Sequence, residues 1–475
     1  MLAVVLMLLA LGQGSASPQM TLAQQAHDDF KAGRYTQARE KLREAVKSSP
    51  RNPALWSLLG MTDAQLNEVD SAIADFQKTL ALAPDDAQSY FNLGLLYGRK
   101  GDVLKATEAY QQGLRLEPNN APANQNYALL LMAQQQFREA VAPLKVLRLT
   151  DPGSLPARVA LIECYLKTKM PDEAAQEIQA YLEQPTVPVN DQLKLAKVLL
   201  ENNEPASAQA VLQTAVKTPP EFPEAHYDLG VLYLNKSQYE NAVRELGRAV
   251  QLAPEEPPYS MRLAEALILW KHYGTALEFL NAVKTRFVSL SDYQYKLGLA
   301  YYGLHRFPEA IAQFDGILRE QPNLALVHFF VGNSQFAVGN LEESVTHLRK
   351  AIELQPQNAA YYTALAQSLR RLSDDNTDEA LANLEKALSL DGQDIQIKEE
   401  LALCLEKKHN YTRAQSLLEQ VIARDPQLVS AHVALAGIYY KQHKKAEGDR
   451  ERAIVRRLQS EEQARQSELR NSPKP

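Results

Sequence analysis

Cysteine is nearly missing: only Cys164 and Cys404 occur in 475 residues, so no disulfide framework holds this chain together. Long apolar runs are missing too. The longest, "LAVVLMLLAL" at residues 2–11, is ten residues, too short to span a bilayer. Positive charge is not in excess: the net charge is −6, which argues against a phosphate backbone as partner. The motifs of common catalysts are also absent. There is no G-x-x-x-x-G-K-[ST], no G-x-S-x-G, no H-E-x-x-H and no C-x-x-C. The nine histidines are scattered, and His432 and His443 have no third ligand beside them in sequence. No segment alternates apolar and polar residues as strands do. These absences leave a helical, non-catalytic chain without cofactor or metal.

What is present is a phrase written many times. "YFNLGLLYGRKGD" at residues 90–102 returns as "HYDLGVLYLNKSQ" and again as "YQYKLGLAYYGLHRF". Gly60, Gly94, Gly230, Gly298 and Gly332 are separated by multiples of 34 residues. On that period, repeats start at Gln19, Pro53, Ala87, Ala121, Leu155, Val189, Pro223, Pro257, Ser291, Ala325 and Ala359. Two extra residues in "SDDNTDE" then shift the frame, and the series resumes at Ile395 and Val429. The chain holds twelve repeats and a degenerate thirteenth.

Each recurring residue has a mechanical reason. Positions 4, 7, 8 and 11 of the repeat follow the i, i+3, i+4, i+7 spacing of one helical face. Position 8 is Ala or Gly everywhere except Ile162, and position 20 is Ala everywhere except Ser344. Small residues there let two helices cross closely. Gly33, Asn67, Gly101, Asn203 and Gly339 at position 15 suit the positive φ that ends a helix. Position 32 is proline in nine of twelve repeats, where it stops the second helix. One repeat is therefore a helix hairpin whose apolar stripe is covered only by the next repeat.

The pattern resembles the tetratricopeptide repeat, W-x2-L-G-x2-Y…A…F…P with this period. Trp56, Leu59, Gly60, Ala72, Phe76 and Pro84 match it, as do Leu93, Gly94, Tyr97, Ala106, Tyr110 and Pro118, and the likeness runs over roughly residues 19–442. It implies an all-α fold, a right-handed superhelical solenoid of tandem helix hairpins. Departures at repeats five (Ile162, no Pro at 186), eight (Val288) and eleven (the insertion) are expected to mark local bends. A disulfide needs Cα atoms within about 7 Å, and stacked helices lie about 8–10 Å apart. Cys164 and Cys404, seven repeats apart, then cannot pair within one solenoid.

The expected organisation is a signal peptide at residues 1–16, a solenoid over 17–442, and a capping helix with a disordered tail over 443–475. The first follows from the apolar stretch and the small residues Gly14 and Ala16 after it, although no basic residues precede the stretch. Such a leader places the protein outside the cytoplasm, periplasmic or secreted. Membrane contact would run only through an uncleaved N-terminus. The last segment, from Lys444, surrounds the sparse apolar stripe Ala446, Ala453, Ile454 and Leu458 with charge, as an end cap would.

The resemblance also implies that first helices line a concave groove with positions 2, 5, 6, 9, 12 and 13. In repeats seven to ten, positions 5 and 12 read Tyr227, Leu234, Met261, Ile268, Tyr295, Tyr302, Phe329 and Phe336. Asp228, Arg262 and Lys296 edge them at position 6. These residues are expected to form one apolar, aromatic strip that binds a protein or peptide. The carboxylate clamp for chaperone tails is not matched, and an asparagine ladder appears only as Asn92 and Asn126. The chain reads as an exported scaffold or adaptor. The alternatives are a periplasmic part of an envelope or polysaccharide-export machine, and a substrate-presenting subunit of an enzyme on a separate chain.

Overall fold

The computed structural model describes residues 21–184 and 186–471, with side chains through 464. The expected signal peptide and residues 472–475 lie outside the described residues. Among those described, about 80% are helical, in 27 α-helices, and no strand occurs. The chain divides into two compact units, up to residue 225 and from 226 onward.

Within each unit the helices follow the 34-residue period. Repeat two is Pro53–Gln65 and Val69–Leu82, repeat three Ala87–Lys100 and Val103–Leu116, repeat nine Ser291–Gly303 and Phe307–Glu320, repeat ten Ala325–Val338 and Leu341–Leu354. Consecutive helices pack as hairpins, and each hairpin packs on the next. Repeat thirteen keeps its first helix, Val429–Lys441, and the helix Lys445–Asn471 stands where its second helix belongs. Leu458 is the buried member of its apolar stripe.

The small residues sit where the helices cross. Position 20 is buried throughout, from Ala38 and Ala72 through Ala310, Ser344 and Ala414, at no more than 1% exposure. At position 8, a Cβ added to Gly60 would stand 3.1 Å from the Phe76 ring, and one on Gly332 2.7 Å from Leu348. The partner is position 24 in each case, so the large residue at 24 fills the space that position 8 leaves. Cys164 and Cys404 are free, buried side chains, and burial pushes their thiols up to about 12 and about 11.

Position 15 carries the positive φ in repeats one to ten and in twelve and thirteen, and glycine is not required for it. Gln135, Lys169, Ser237, Lys271, His305, His409 and His443 adopt φ between 56° and 62°. Each such residue costs about 1–2 kcal/mol relative to ordinary helical backbone. Repeat eleven is the exception. Its insertion makes a 3-10 turn, Asp374–Asn376, and Ser373 stays extended with φ −160°.

Position 4 does not belong to the apolar stripe. In several repeats its side chain reaches back to the carbonyl of position 32 in the preceding repeat. Trp56 Nε1 donates to Pro50 O at 2.9 Å, Asn124 Nδ2 to Pro118 O at 2.8 Å, and Tyr362 Oη to Pro356 O at 3.1 Å. Arg158, His328 and His432 do the same to Pro152, Pro322 and Pro426. A helix that ends at proline leaves its last carbonyls without intrahelical donors, and the next first helix supplies one. His432 is thereby a hinge-pin of the inter-repeat turn, and its Nδ1 meets Glu451.

Of the three departures, repeats five and eight have shortened second helices, whereas repeat eleven keeps 14 residues in Thr377–Leu390. Repeat six, not among the departures, is shortened too. The second helices of most repeats have 14 residues. Repeats five and six have 12 and 11. Repeat eight has 10, followed by a separate turn at Lys284–Phe287.

Candidate partner-binding face

The first helices of the second unit carry the ten residues singled out from the sequence. They do not form one exposed strip. Leu234, Met261 and Ile268 are 8%, 5% and 9% exposed, because the wide apolar faces of Pro223–Asn235 and Pro257–Leu269 turn these side chains into the stack. Lys296, expected at the edge, is only 9% exposed. The remaining residues except Tyr295 line two hollows, and the helix Ser291–Gly303 contributes to both.

The first hollow, about 570 Å³, is lined by Tyr227, Met261, Arg262, Glu265, Asp292 and Lys296 among others. Glu265 organises it. Its Oε2 accepts from Arg262 Nη1 at 2.9 Å and lies 3.5 Å from Lys296 Nζ, which also stands 3.3 Å from Asp292. Arg262 hydrogen-bonds the Tyr227 side chain as well, and the Tyr227 ring packs on Tyr259 at 4.9 Å. Two cations face two carboxylates here, so the charges of this hollow are spent on one another.

The second hollow, about 390 Å³, joins aromatic walls to polar groups, one of them the Asp394 carboxylate. Tyr302, Phe307, Phe329 and Phe336 form aromatic walls, and Asn333, Thr363 and Gln367 bring amide and hydroxyl groups. All of these except Phe307 come from first helices, those of repeats nine, ten and eleven. Asn333 hydrogen-bonds the Tyr302 hydroxyl, Gln367 Nε2 donates to Glu400 Oε1 at 3.0 Å, and the Arg371 guanidinium lies 5.0 Å above the Phe336 ring. Phe329 packs on Tyr361 at 5.0 Å.

One residue outside the expected set explains why the strip breaks in two. Phe330, at position 6 of repeat ten, stacks on Phe314 at 5.7 Å and meets Tyr295 at 6.2 Å and Tyr302 at 5.3 Å. Tyr295 is thereby drawn into the core, and burial pushes its hydroxyl up to about 12, with Tyr361, Glu265 and Asp292 adding to the shift. Position 6 was assigned to the groove edge, and a phenylalanine there is the sequence signal of such an insertion. Asn333 and Gln367 both occupy position 9, a groove position by the resemblance, so they were findable as well.

Among the described residues no helix is long and apolar enough to cross a membrane, and no group of three metal-ligating side chains occurs.

Family profiles described as Tetratricopeptide repeat match residues 24–87, 60–121, 193–260 and 371–431, and one described as TPR repeat matches 332–373. Together they cover more than half of the chain. Among curated proteins, the TPR repeat-containing protein YpiA of Bacillus subtilis is 22% identical over 52% of this chain and 58% of its own length. The Rhomboid protease GluP of the same organism is 33% identical over 21% of this chain and 20% of its own. The chain thus spans about three fifths or less of these relatives. A crystal structure of a tetratricopeptide repeat protein from Parabacteroides merdae aligns with a TM-score of 0.44 at 15% identity, over 52% of this chain and 97% of that one. With the period, the close crossings at positions 8 and 20 and the profile matches all on the same repeats, this chain belongs to the tetratricopeptide-repeat family.

Proposed function

We infer that this chain is a non-catalytic scaffold that holds a protein or peptide segment on the first-helix face of repeats nine to eleven. The hollow walled by Tyr302, Phe329 and Phe336 carries this reading. Aromatic walls suit a buried apolar anchor from a partner. The amides of Asn333 and Gln367 offer both donors and acceptors, which is what a partner's main chain needs. The one charged side chain on the walls is Asp394, which caps the helix Ile395–Lys407, so the hollow disfavours an acidic partner segment. The non-catalytic reading rests on the lack of nucleophile and phosphate-binding motifs in the sequence. Export, to the periplasm or outside the cell, is proposed from the apolar residues 2–11.

A photo-reactive phenylalanine analogue at position 336 tests the site directly. It should capture a partner in native extract, whereas the same analogue at Leu104, 79% exposed on a second helix, should not. Equal capture at both positions refutes the assignment. Mass spectrometry of the native protein tests export: a mature terminus near Ser17 is expected, and an intact Met1 on cytosolic protein refutes it.

A further inference from the structure

The hollow walled by Tyr302, Phe329 and Phe336 has hydrogen-bond acceptors to spare. Asp394, on its wall, caps the helix Ile395–Lys407 with one oxygen only: Oδ1 accepts from Gln396 N at 2.7 Å and from Ile397 N at 3.4 Å. Its Oδ2 makes no hydrogen bond and no ion pair. Gln367 is spent in the same sense. Its Nε2 donates to Glu400 Oε1 at 3.0 Å, which leaves Oε1 as the unengaged end of the amide. Both side chains are partly open to solvent, and neither of these two oxygens is sealed from it. Among the described residues no lysine, arginine or histidine lines the space, so the carboxylate has no counter-ion there.

The rings on the other walls suit a cation as well as an apolar group. The face of an aromatic ring is the negative end of its quadrupole and attracts a cation within about 6 Å. This chain already uses that contact. The Arg371 guanidinium lies 5.0 Å above Phe336, and the Arg306 guanidinium 4.8 Å from the Tyr301 ring. Arg371 does not line the hollow itself. Tyr302, Phe329 and Phe336 are each only half-buried, so part of every ring stays open. A free carboxylate oxygen, a free amide oxygen and ring faces around one space match a group that is planar, cationic and all donor. The arginine side chain is that group: it has five N–H donors and no acceptor, and it is more weakly hydrated than an ammonium.

We propose that the side chain which anchors the partner segment in this hollow is an arginine. Its guanidinium lies against the aromatic walls and donates to Asp394 Oδ2 and Gln367 Oε1, and its methylene stem rests on the rings. Arginine is one of the residue types that dominate the centres of protein interfaces. The inference rests on the assignment of this hollow as the partner site and names what enters it. It also gives Asp394 a second task beside its helix cap, that of selecting a cation over a neutral side chain.

The probe is the tripeptide leucine-arginine-leucine, acetylated and amidated so that arginine carries its only charge. The control has citrulline in place of arginine, with the same shape and no charge. Calorimetry on the full chain reads affinity, and a crystal soaked in the arginine peptide reads position. The arginine peptide should bind about tenfold or more tightly than the control, with its guanidinium within hydrogen-bond distance of Asp394 Oδ2. Asp394→Asn keeps a good helix cap, so it should melt with the parent, yet cut the arginine advantage to about threefold or less. Phe336→Leu keeps apolar bulk without the ring face and should narrow the same ratio. Equal affinity for the two peptides, an advantage that survives in both variants, a guanidinium outside the hollow, or no binding of the arginine peptide at millimolar concentration would each overturn the inference. None of these results decides the partner site itself, which capture at position 336 tests separately.

Discussion

Gly298 lies so close to Phe314 that a Cβ built on it would stand 2.5 Å from the ring's Cε1. The relation joins position 8 of one helix to position 24 of the next, and it recurs at Gly230 with Leu246 and at Gly94 with Tyr110. Gly298→Ala should therefore force the Phe314 ring to move and destabilise the protein by about 1–3 kcal/mol. The loosening, read by hydrogen exchange, should centre on residues 291–324 and their neighbours, because a repeat touches only adjacent repeats. Gly247, in the helix Tyr239–Leu252, has nothing within 4 Å of a built Cβ. Gly247→Ala should be stabilising by about 0.5–1 kcal/mol, the helix-propensity difference.

The positive φ at position 15 gives a prediction of opposite sign. Lys271 is held at φ 61° and His305 at 58°, a conformation that L side chains resist. Lys271→Gly and His305→Gly should each stabilise by up to about 1 kcal/mol, since relief of the left-handed strain outweighs the greater unfolded-chain freedom of glycine. Gly101→Ala, at φ 76°, should lose a similar amount. Urea denaturation of the three variants checks both directions. A Lys271→Gly variant less stable than the parent would show that the left-handed residue is not strained.

A buried acid makes the first unit pH-sensitive. Burial pushes the Asp75 carboxyl up to about 7, the nearby Asp63 adds to the shift, and Arg43 opposes it. The folded form then holds a proton between about pH 4 and 7 that the unfolded chain has already lost. Stability contributed by this group is fully present below about pH 4 and declines as pH rises toward 7. Asp75→Asn keeps the shape without the charge. It should raise stability most at pH 8 and flatten the fall between pH 4 and 7, as followed by thermal melts across that range. A pH profile that matches the parent's would remove Asp75 as the cause.

Much of this was legible from spacing. The Pro at position 32, the Ala at 20 and the Ala or Gly at 8 recur because each is dictated by local sterics, so they fixed the hairpin boundaries in advance. Position 4 was misread as part of an apolar stripe. Its occupants, Trp56, Asn124, Arg158, His328, Tyr362 and His432, share no polarity class, only a donor at a similar reach, and a hydropathy pattern cannot express that. Position 15 was legible only where glycine or asparagine stood. Lys271 or His409 carries no local sign that the turn imposes a positive φ. The groove was half legible: positions 5 and 12 located the right helices, but whether a side chain there faces solvent depends on its neighbours. Phe330 decides it for Tyr295, and the packing around Met261 and Ile268 decides it for them.

The hollow between repeats nine, ten and eleven is where the proposed partner is held. Calorimetry of the partner captured at position 336, titrated into the parent and into Tyr302→Ala with Phe336→Ala, tests it most directly. Neither residue contributes to the close crossings at positions 8 and 20, so far-UV circular dichroism should be unchanged. Affinity should fall at least tenfold, about 1.4 kcal/mol or more, as expected for truncated interface anchors. Undiminished binding by the folded double variant would contradict it.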